Sequence, residues 1–268
     1  MAASTEPGRF GDGGDAVVAV RYGTLETTLS AAFVGFEAYG EDDAPLRMDY
    51  YFWLVRRGGR TIVVDTGFDP DVGRARGRTC LIEPAAALAR LGVDPASVEQ
   101  VLLTHLHYDH IGNLDLFPAA EFVLDELELE FWTGPYGAKE QFARHNDAGG
   151  MEAVVAACDR GAVKTVGAEH EVADGILLQR LGGHTPGQQI VRLATGRGEV
   201  VLGSDTIHFD LELDRDWPFA IHHDLEQMYR GYDTLRGLRD GGGTIVPGHD
   251  PLVMERFESI GEFATRVA

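Results

Sequence analysis

The sequence predicts an α/β protein with mixed β-sheets. Short apolar runs rich in β-branched residues come before, between and after segments with helical spacing, so strands and helices are interleaved along the chain. No short-period repeat, linker or low-complexity tract divides the 268 residues. We therefore expect a single layered α/β domain over residues 16–268. Residues 1–15 are rich in Gly, Ser and Asp and are expected to form a flexible N-terminal segment.

The predicted strands are short apolar runs bounded by turn-forming residues. Gly58-Gly59 separates two of these runs and is typical of a hairpin turn. The run at 98–104 leads directly into a group of histidines. The predicted strands are Ala16–Tyr22, Asp49–Arg56, Thr61–Thr66, Val98–Thr104, Glu121–Leu124, Ile176–Leu181, Gln188–Ala194, Glu199–Gly203 and Thr244–Val246.

The clearest predicted helix begins at Asp224. Asp224 is a good N-cap, and Gln227 three residues later completes a capping-box pattern. Residues 133–150 are loop-prone and could form a mobile cover. The apolar stripe expected to face the core comprises Leu225, Met228, Tyr229, Tyr232, Leu235 and Leu238. The other predicted helices are Glu83–Leu91, Asp125–Trp132 and Met151–Asp159.

The composition excludes several classes of partner. Lys plus Arg number 23 and Asp plus Glu number 43, which gives a formal net charge of −20. A chain this acidic repels the phosphates of nucleic acids and the surfaces of anionic membranes. The N-terminal residues show no signal-peptide pattern, and no apolar run is long enough to span a bilayer. Cys80 and Cys158 are isolated, so we expect reduced thiols and a cytoplasmic protein.

The main chemical signal is a cluster of metal-binding residue types after the run at 98–104. It reads His105-Leu106-His107-Tyr108-Asp109-His110. If the chain stays extended, the first two histidines point to the same side, and a turn or helix start redirects the last two ligands to a neighbouring point. Imidazole and carboxylate groups are the usual ligands of divalent metals. The cluster therefore predicts a metal site that can serve two centres.

Three further strand ends carry a ligand-type residue next to glycine. His184 follows Gly183, Asp205 follows Gly203-Ser204, and His249 follows Pro247-Gly248. Each signal is weak alone because glycine-rich turns are common. Together with the 105–110 cluster they predict that several strand ends meet at one site.

These motifs resemble those of the metallo-β-lactamase superfamily, from about Asp49 to His249. Val64-Asp65-Thr66-Gly67, the 105–110 cluster and the three later ligands occur in that family's order. The resemblance implies a four-layer αβ/βα sandwich with mixed β-sheets and a site along one edge of the sheets. It also implies two divalent metal ions, with zinc expected and manganese, iron or cobalt left open.

The resemblance further implies the role of each ligand. Asp65 would orient metal ligands from behind them, although Asp-Thr-Gly is also plain turn chemistry. The family's ligand sets would place one metal on His105, His107 and His184 and the other on Asp109, His110 and His249, with Asp205 bridging the two.

Within the superfamily, the chain resembles the N-acyl homoserine lactonases. The resemblance lies in three segments: Asp109-His110-Ile111-Gly112-Asn113, Gly203-Ser204-Asp205, and Trp217-Pro218-Phe219 before a long helix. It implies a small-molecule substrate, an N-acyl homoserine lactone or a related small lactone, and hence a possible place in quorum quenching. The hypothesis is that two cations activate a bridging water to attack the ester carbonyl. Asp109 would pass the proton to the leaving oxygen.

One position departs from the lactonase pattern. Many such lactonases have a Tyr three residues after the bridging Asp, where it contacts the substrate carbonyl, and this chain has His208 there. We expect His208 either to donate a hydrogen bond to the oxyanion or to be a wall residue. Candidate apolar residues of the substrate-binding wall are Phe68, Phe219, Ile221, Met48 and Tyr50.

Two other functions are kept as alternatives. A glyoxalase II-like thioester hydrolase shares the ligand set, but those enzymes carry a helical C-terminal extension, and only 19 residues follow His249. The other alternative is a non-catalytic metal or ligand sensor with a closed site. The complete ligand set argues against it, since purely structural metal sites keep no open position. The sequence leaves open which lactone is cleaved, which ion is native, and whether the chain forms a homodimer.

Overall fold

The computed structural model describes Phe10 and residues 14–268. Residues 1–9 and 11–13, which make up most of the expected flexible segment, lie outside the described residues. The boundary at residue 16 therefore stays a prediction. It coincides with the start of the first described strand, Ala16–Thr28.

The strands form a larger and a smaller sheet. They are β1 (Ala16–Thr28), β2 (Pro45–Arg57), β3 (Arg60–Val64), β4 (Thr79–Cys80), β5 (Gln100–Leu102), β6 (Glu121–Asp125), β7 (Val163–Val166), β8 (Glu169–Ala173), β9 (Ile176–Arg180), β10 (Gln189–Thr195), β11 (Gly198–Ser204), β12 (Thr244–Pro247), β13 (Glu258–Ser259) and β14 (Ala264–Arg266).

Both sheets are mixed, as predicted. The larger sheet has the order β13-β14-β1-β2-β3-β5-β6-β7, and β4 pairs with β1. Its β1–β2–β3 part is antiparallel, whereas β3, β5, β6 and β7 run parallel. The smaller sheet has the order β12-β11-β10-β9-β8, and only its β11–β12 pair is parallel.

The protein has two hydrophobic cores, and successive side chains of β2 point alternately into one and the other. Tyr51, Trp53 and Val55 belong to a cluster that also contains residues of the smaller sheet, so this core lies between the sheets. The intervening Phe52 and Leu54 belong to the cluster that the helices cover. This arrangement of helix, sheet, sheet and helix confirms the predicted αβ/βα sandwich.

The helices cover the outer faces of the sheets. None of the helices in the described part of the chain has the length and apolar character needed to cross a bilayer. They are α1 (Leu29–Ala32), α2 (Pro70–Ala75), α3 (Pro84–Arg90), α4 (Tyr108–Ile111), α5 (Glu126–Thr133), α6 (Glu140–Ala143), α7 (Ala148–Asp159), α8 (Asp210–Arg215), α9 (Leu225–Asp240) and α10 (Val253–Arg256).

The helix predicted to begin at Asp224 is α9. The Asp224 side chain accepts a hydrogen bond from the Gln227 amide at 3.0 Å, as an N-cap should. The Asp224 amide instead donates to Gly183 O, so the reciprocal half of the capping box is not formed. Met228, Tyr232 and Leu235 of the predicted stripe are buried, and Tyr229 and Leu238 pack against the same core partly buried, which confirms a core role for five of its six residues. Leu225, at the start of the helix, is half-buried and does not belong to that cluster.

Two strands differ in length from the prediction for reasons visible in their hydrogen bonds. The strand predicted over Val98–Thr104 is only β5, because the Thr104 amide donates to the Asp65 side chain rather than to a neighbouring strand. β1 continues past Tyr22 to Thr28, because its polar second half pairs with the start of β2. Such pairing leaves no apolar pattern in the sequence.

Candidate metal centre

The loops that follow four strands bring the predicted ligands to one edge of the sandwich. His105 and His107 lie beyond β5, and α4 starts at Tyr108, so Asp109 and His110 are carried on its first turn. His184 follows β9, Asp205 follows β11 and His249 follows β12. Gly183 has a φ of +88°, a conformation that glycine adopts without strain, and it allows the chain to turn before His184.

The seven predicted ligands form two groups that share Asp205. Within each group, one potential ligand atom per residue lies within 4.8 Å of the others, and every member is buried. One group comprises His105, His107, His184 and Asp205, and the other comprises Asp109, His110, His249 and Asp205.

Asp205 faces each group with a different oxygen. Its Oδ2 lies 3.3 Å from His184 Nε2 and 3.7 Å from His105 Nε2. Its Oδ1 lies 3.1 Å from His249 Nε2 and 3.3 Å from His110 Nε2. A carboxylate held in this way can bind one cation through each oxygen.

Hydrogen bonds determine which ring nitrogen faces the centre. His184 Nδ1 donates to Ile221 O, and His249 Nδ1 donates to Asp49 O, each at 2.8 Å. His110 Nδ1 lies 2.8 Å from the carboxylate of Asp65. In all three rings Nε2 is left to face the ligand groups. Hydrogen bonds of this kind fix the tautomer and orientation of metal-binding histidines.

Three of the imidazoles are held in the neutral form. Burial lowers the pKa of His105, His107 and His184 well below the usual value, and neighbouring histidines lower it further. Burial acts in the same direction on His110, but nearby carboxylates, Asp205 foremost, raise its pKa well above the usual value. The neutral imidazole is the form that binds a metal.

The chemistry of the site fits a pair of cations. Among the described residues, the buried nitrogens His105 Nε2 and His110 Nε2 have no hydrogen-bond partner. An unsatisfied buried polar atom costs about 1–3 kcal/mol. A divalent cation in each group would satisfy both atoms, and histidine with aspartate is a ligand set that such cations take.

Asp65 lies beside His110 and Thr104. It is buried, and its Oδ1 accepts a hydrogen bond from the Thr104 amide at 2.8 Å. Its Oδ2 accepts from Thr104 Oγ1 at 2.8 Å and also faces His110. Asp65 therefore contacts one predicted histidine ligand and the backbone that leads to the 105–110 cluster.

An open cleft reaches the ligand groups. Asp109 and Asp205 lie in its wall, together with Phe219 and Ile221 from the predicted substrate-binding set. Met48 and Tyr50 are further wall residues of the same cleft. The cleft is therefore apolar on one side and polar at the ligands.

Phe68 lies behind this wall rather than in it. Its side chain is fully buried, and its ring centroid is 5.3 Å from that of Tyr50 and 4.7 Å from that of Tyr22. Direct contact between Phe68 and a substrate is not supported by this position. Phe68 instead supports Tyr50 from the core.

His208 is fully buried and does not line the cleft. Its ring stacks on Phe219 with centroids 3.6 Å apart, and its Nε2 lies 3.2 Å from Asp205 Oδ2. Burial lowers the pKa of His208, but the carboxylates of Asp205 and Glu212 prevail and raise it to about 9. This position favours a role in holding Asp205 over contact with a substrate.

The segment 133–150 borders the site it was expected to cover. It contains α6 and the first residues of α7. His145 lies in the cleft wall, and its ring centroid is 5.7 Å from that of His107. The mobility of the segment stays a prediction.

Glu128, a buried carboxylate that joins two ligand loops, was not predicted from the sequence as a residue of the site. Its Oε1 accepts from the Leu106 amide at 2.9 Å and from Trp132 Nε1 at 2.7 Å, and its Oε2 accepts from the Gly187 amide at 2.9 Å. Its spacing of four residues from Trp132, on one helical face, was the available signal.

Two arginines in the cleft wall, Arg76 and Arg78, were also not predicted from the sequence. They come from Gly73-Arg74-Ala75-Arg76-Gly77-Arg78, a basic stretch in a chain of net charge −20. That local reversal of charge was the available signal.

Comparison with known proteins places this geometry in a family context. A sequence model of the metallo-beta-lactamase superfamily matches residues 48–249. A metallo-beta-lactamase domain-containing protein 1 from Xenopus laevis is 29% identical over 167 residues, which are 62% of this chain and 59% of that protein. The N-acyl homoserine lactonase AttM of Azorhizobium caulinodans is 29% identical over 191 residues, 65% of this chain and 66% of that protein.

The matched part of the chain thus spans about half to two thirds of these curated relatives. Among solved structures, a dizinc quorum-quenching lactonase in complex with a product aligns with a TM-score of 0.69 at 19% sequence identity. The alignment covers 88% of this chain and 87% of that one. At this identity the likeness establishes the fold.

Proposed function

The chain belongs to the metallo-β-lactamase superfamily, and we propose that it is a two-metal hydrolase that opens the ester bond of a lactone. The observation that carries this proposal is the pair of buried ligand groups that share Asp205 beside an open cleft. The similarity to N-acyl homoserine lactonases supports an N-acyl homoserine lactone or a related small lactone as the substrate class.

The seven ligands would hold the two cations in the sets described above. When bound, two divalent ions supply Lewis acidity and lower the pKa of water toward neutrality. Zinc is favoured because the donors are histidine and aspartate and because a dizinc lactonase shares the fold. Manganese, iron and cobalt suit the same donors.

Asp109 is the residue proposed to move protons. Its Oδ2 lies 3.7 Å from His110 Nε2 and 3.8 Å from His249 Nε2, so one oxygen belongs to a ligand group. Asp109 also lies in the cleft wall, where a substrate would be. A carboxylate in this position can accept the proton of an attacking water and deliver it to the leaving oxygen of the opened ring.

The remaining proposed roles follow from position. Phe219 and Ile221 line the cleft and would contact the apolar part of the substrate. His208 would stabilise the charge of Asp205, since its Nε2 lies 3.2 Å from Asp205 Oδ2 without forming a hydrogen bond and its ring stacks on Phe219. The earlier alternative, a hydrogen bond from His208 to the oxyanion, is the weaker one for this geometry.

The proposal is tested by hydrolysis rates of the zinc-loaded protein on lactones of varied ring and chain, beside thioesters. We expect lactone turnover to exceed thioester turnover. Preferred cleavage of thioesters would instead assign the glyoxalase II-like function. Stoichiometric metal with no turnover of any lactone, ester or thioester would contradict the enzyme proposal and favour a sensor.

Replacement of Asp109 tests its role within that reaction. We expect Asp109→Asn to lower kcat for the best lactone by about 100-fold or more, because an amide cannot carry the proton. The matched control is Asp115→Asn, which changes an exposed carboxylate four residues after the end of α4, the helix that carries Asp109. Retained turnover in Asp109→Asn, with zinc content measured in parallel, would remove Asp109 from the proton transfer.

A further inference from the structure

The cleft wall carries two positive charges that the metal chemistry does not use. Arg76 and Arg78 are half-buried and line the same cleft as Asp109 and Asp205. The carboxylates in that wall are Asp109 and Asp205, and both belong to the ligand groups.

Neither arginine has a carboxylate partner among the described residues. The described ion pairs include Arg74 with Asp71, on the same stretch of chain, but none includes Arg76 or Arg78. The chain has a net charge of −20, yet these two half-buried guanidinium groups in the cleft wall have no counter-ion among the described residues. Desolvated charges are normally paired, so this arrangement leaves room for an anion.

Neutral groups hold both guanidinium groups in place. Arg78 Nε donates to Tyr108 Oη at 2.8 Å and to Tyr50 Oη at 3.2 Å. Arg76 Nη1 donates to Arg144 O at 2.8 Å, Arg76 Nη2 donates to Asn146 O, and Arg78 Nη1 donates to Arg76 O. The guanidinium carbon of Arg76 lies 4.2 Å from the centroid of the Tyr108 ring. These contacts fix the side chains without neutralising them, which is the condition for a preorganised anion site.

We propose that Arg78, assisted by the charge of Arg76, binds a carboxylate on the substrate, so that the preferred substrate is a carboxylate-bearing lactone rather than a neutral N-acyl one. This inference rests on the proposed lactone hydrolysis and narrows its substrate class. Among the described residues, Arg78 Nη2 donates to no protein acceptor, and a guanidinium N–H makes a charge-assisted hydrogen bond to a carboxylate oxygen.

The test compares two lactones that differ only in charge. The probes are 5-oxotetrahydrofuran-2-carboxylate and the corresponding carboxamide, assayed with the zinc-loaded protein. We expect kcat/KM for the carboxylate to exceed that for the carboxamide by about tenfold or more, as charge-assisted hydrogen bonds imply. A preference for the carboxamide would overturn the inference.

Variants of the two arginines test which side chain causes the preference for the carboxylate probe. Arg78→Gln should lower the carboxylate-to-carboxamide ratio by about tenfold, mainly through KM, and Arg78→Lys should restore part of it because the charge returns. Arg74→Gln is the matched control, since Arg74 is 75% exposed and lies outside the cleft. An unchanged ratio in both Arg78→Gln and Arg76→Gln would contradict the inference.

Calorimetric binding separates this inference from the proposed function. If neither probe is hydrolysed, lactone hydrolysis is not supported, and both intact compounds can be titrated into the wild-type protein and Arg78→Gln. Tighter binding of the carboxylate by wild type alone would support an anion site at Arg78. Equal binding of the two probes would overturn it.

Discussion

Asp65 and Ser204 show how single residues are held in unusual conformations at the site. Both have left-handed backbone conformations, with φ of +60° and +44°, and neither is glycine. Such conformations cost about 1–3 kcal/mol and persist where the surroundings enforce them. Here Thr104 joins the two, since its hydroxyl hydrogen bonds with the Asp65 carboxylate and with Ser204 Oγ. The conformation of Ser204 in turn directs the adjacent Asp205 toward both ligand groups.

Removal of the Asp65 carboxylate should weaken metal binding. Asp65→Ala leaves His110 Nδ1 and the Thr104 amide without their acceptor, and loss of such an orienting group typically lowers metal affinity about 10–100-fold. The measurement is zinc affinity by competition with a chromophoric chelator. Asp71→Ala, at a side chain that is 84% exposed, is the control. Equal affinities of Asp65→Ala and wild type would show that Asp65 is only a turn residue.

Among single residues, those that could be predicted from the sequence as site residues are the ones whose residue types form a chemically unusual cluster. Three histidines and an aspartate within 105–110 stand out against any packing explanation. Glu128 and Arg78 have only weak signals, the spacing from Trp132 and the local basic stretch, because charged residues are common and their burial depends on the fold. His208 was identified by its position three residues after Asp205. Its stacking against Phe219 depends on how the chain folds, and no local sequence pattern indicates it.

At the scale of elements, α5 connects two ligand loops through one side chain. Glu128 accepts hydrogen bonds from Leu106, between two ligands, and from Gly187, three residues after His184. The approach is close, since a Cβ on Gly187 would lie 2.4 Å from the Glu128 amide nitrogen. The helix thus fixes the distance between the loop after β5 and the loop after β9.

Truncation of Glu128 should therefore reduce stability and metal binding together. Glu128→Ala leaves the amides of Leu106 and Gly187 and the Trp132 indole without their acceptor, and we expect a loss of about 3 kcal/mol in the free energy of unfolding. Urea denaturation measures this loss. The control is Glu130→Ala, at an exposed position of the same helix. A stability loss no larger than that of Glu130→Ala would contradict the linking role.

Element prediction succeeded where the pattern is local and failed where pairing decides. The Gly58-Gly59 hairpin and the capped α9 were predicted from turn and capping chemistry, and both glycines indeed have positive φ. β7 and β8 were missed because β7 is half exposed and β8 is polar, so neither shows an apolar run. Their strand state comes from pairing with β6 and β9.

At the scale of the whole molecule, the candidate metal centre joins the two sheets. The 105–110 cluster follows the larger sheet, whereas His184, Asp205 and His249 follow strands of the smaller one. Bound cations would therefore link the two halves of the sandwich at one edge. The order of the strands could not be read from the sequence, because apolar runs show which residues are buried but not which strands pair. The cytoplasmic location stays a prediction, and whether the chain forms a homodimer stays open.

Removal of metal should lower the thermal stability of the whole fold. A ligand at 100 times its dissociation constant stabilises by about 2.7 kcal/mol, so exhaustive chelation should lower the Tm by several degrees. Scanning calorimetry of the chelated and zinc-reconstituted protein measures the difference, and addition of magnesium is the control because it prefers oxygen ligands. An unchanged Tm after complete removal, verified by elemental analysis, would mean that the centre does not link the sheets.

The most direct test of the two-metal centre is an anomalous difference map from crystals of the zinc-loaded protein, recorded above and below the zinc absorption edge. We expect two peaks, one among His105, His107 and His184 and the other among Asp109, His110 and His249, with an oxygen of Asp205 toward each. A single peak, or peaks away from these side chains, would contradict the two-metal centre.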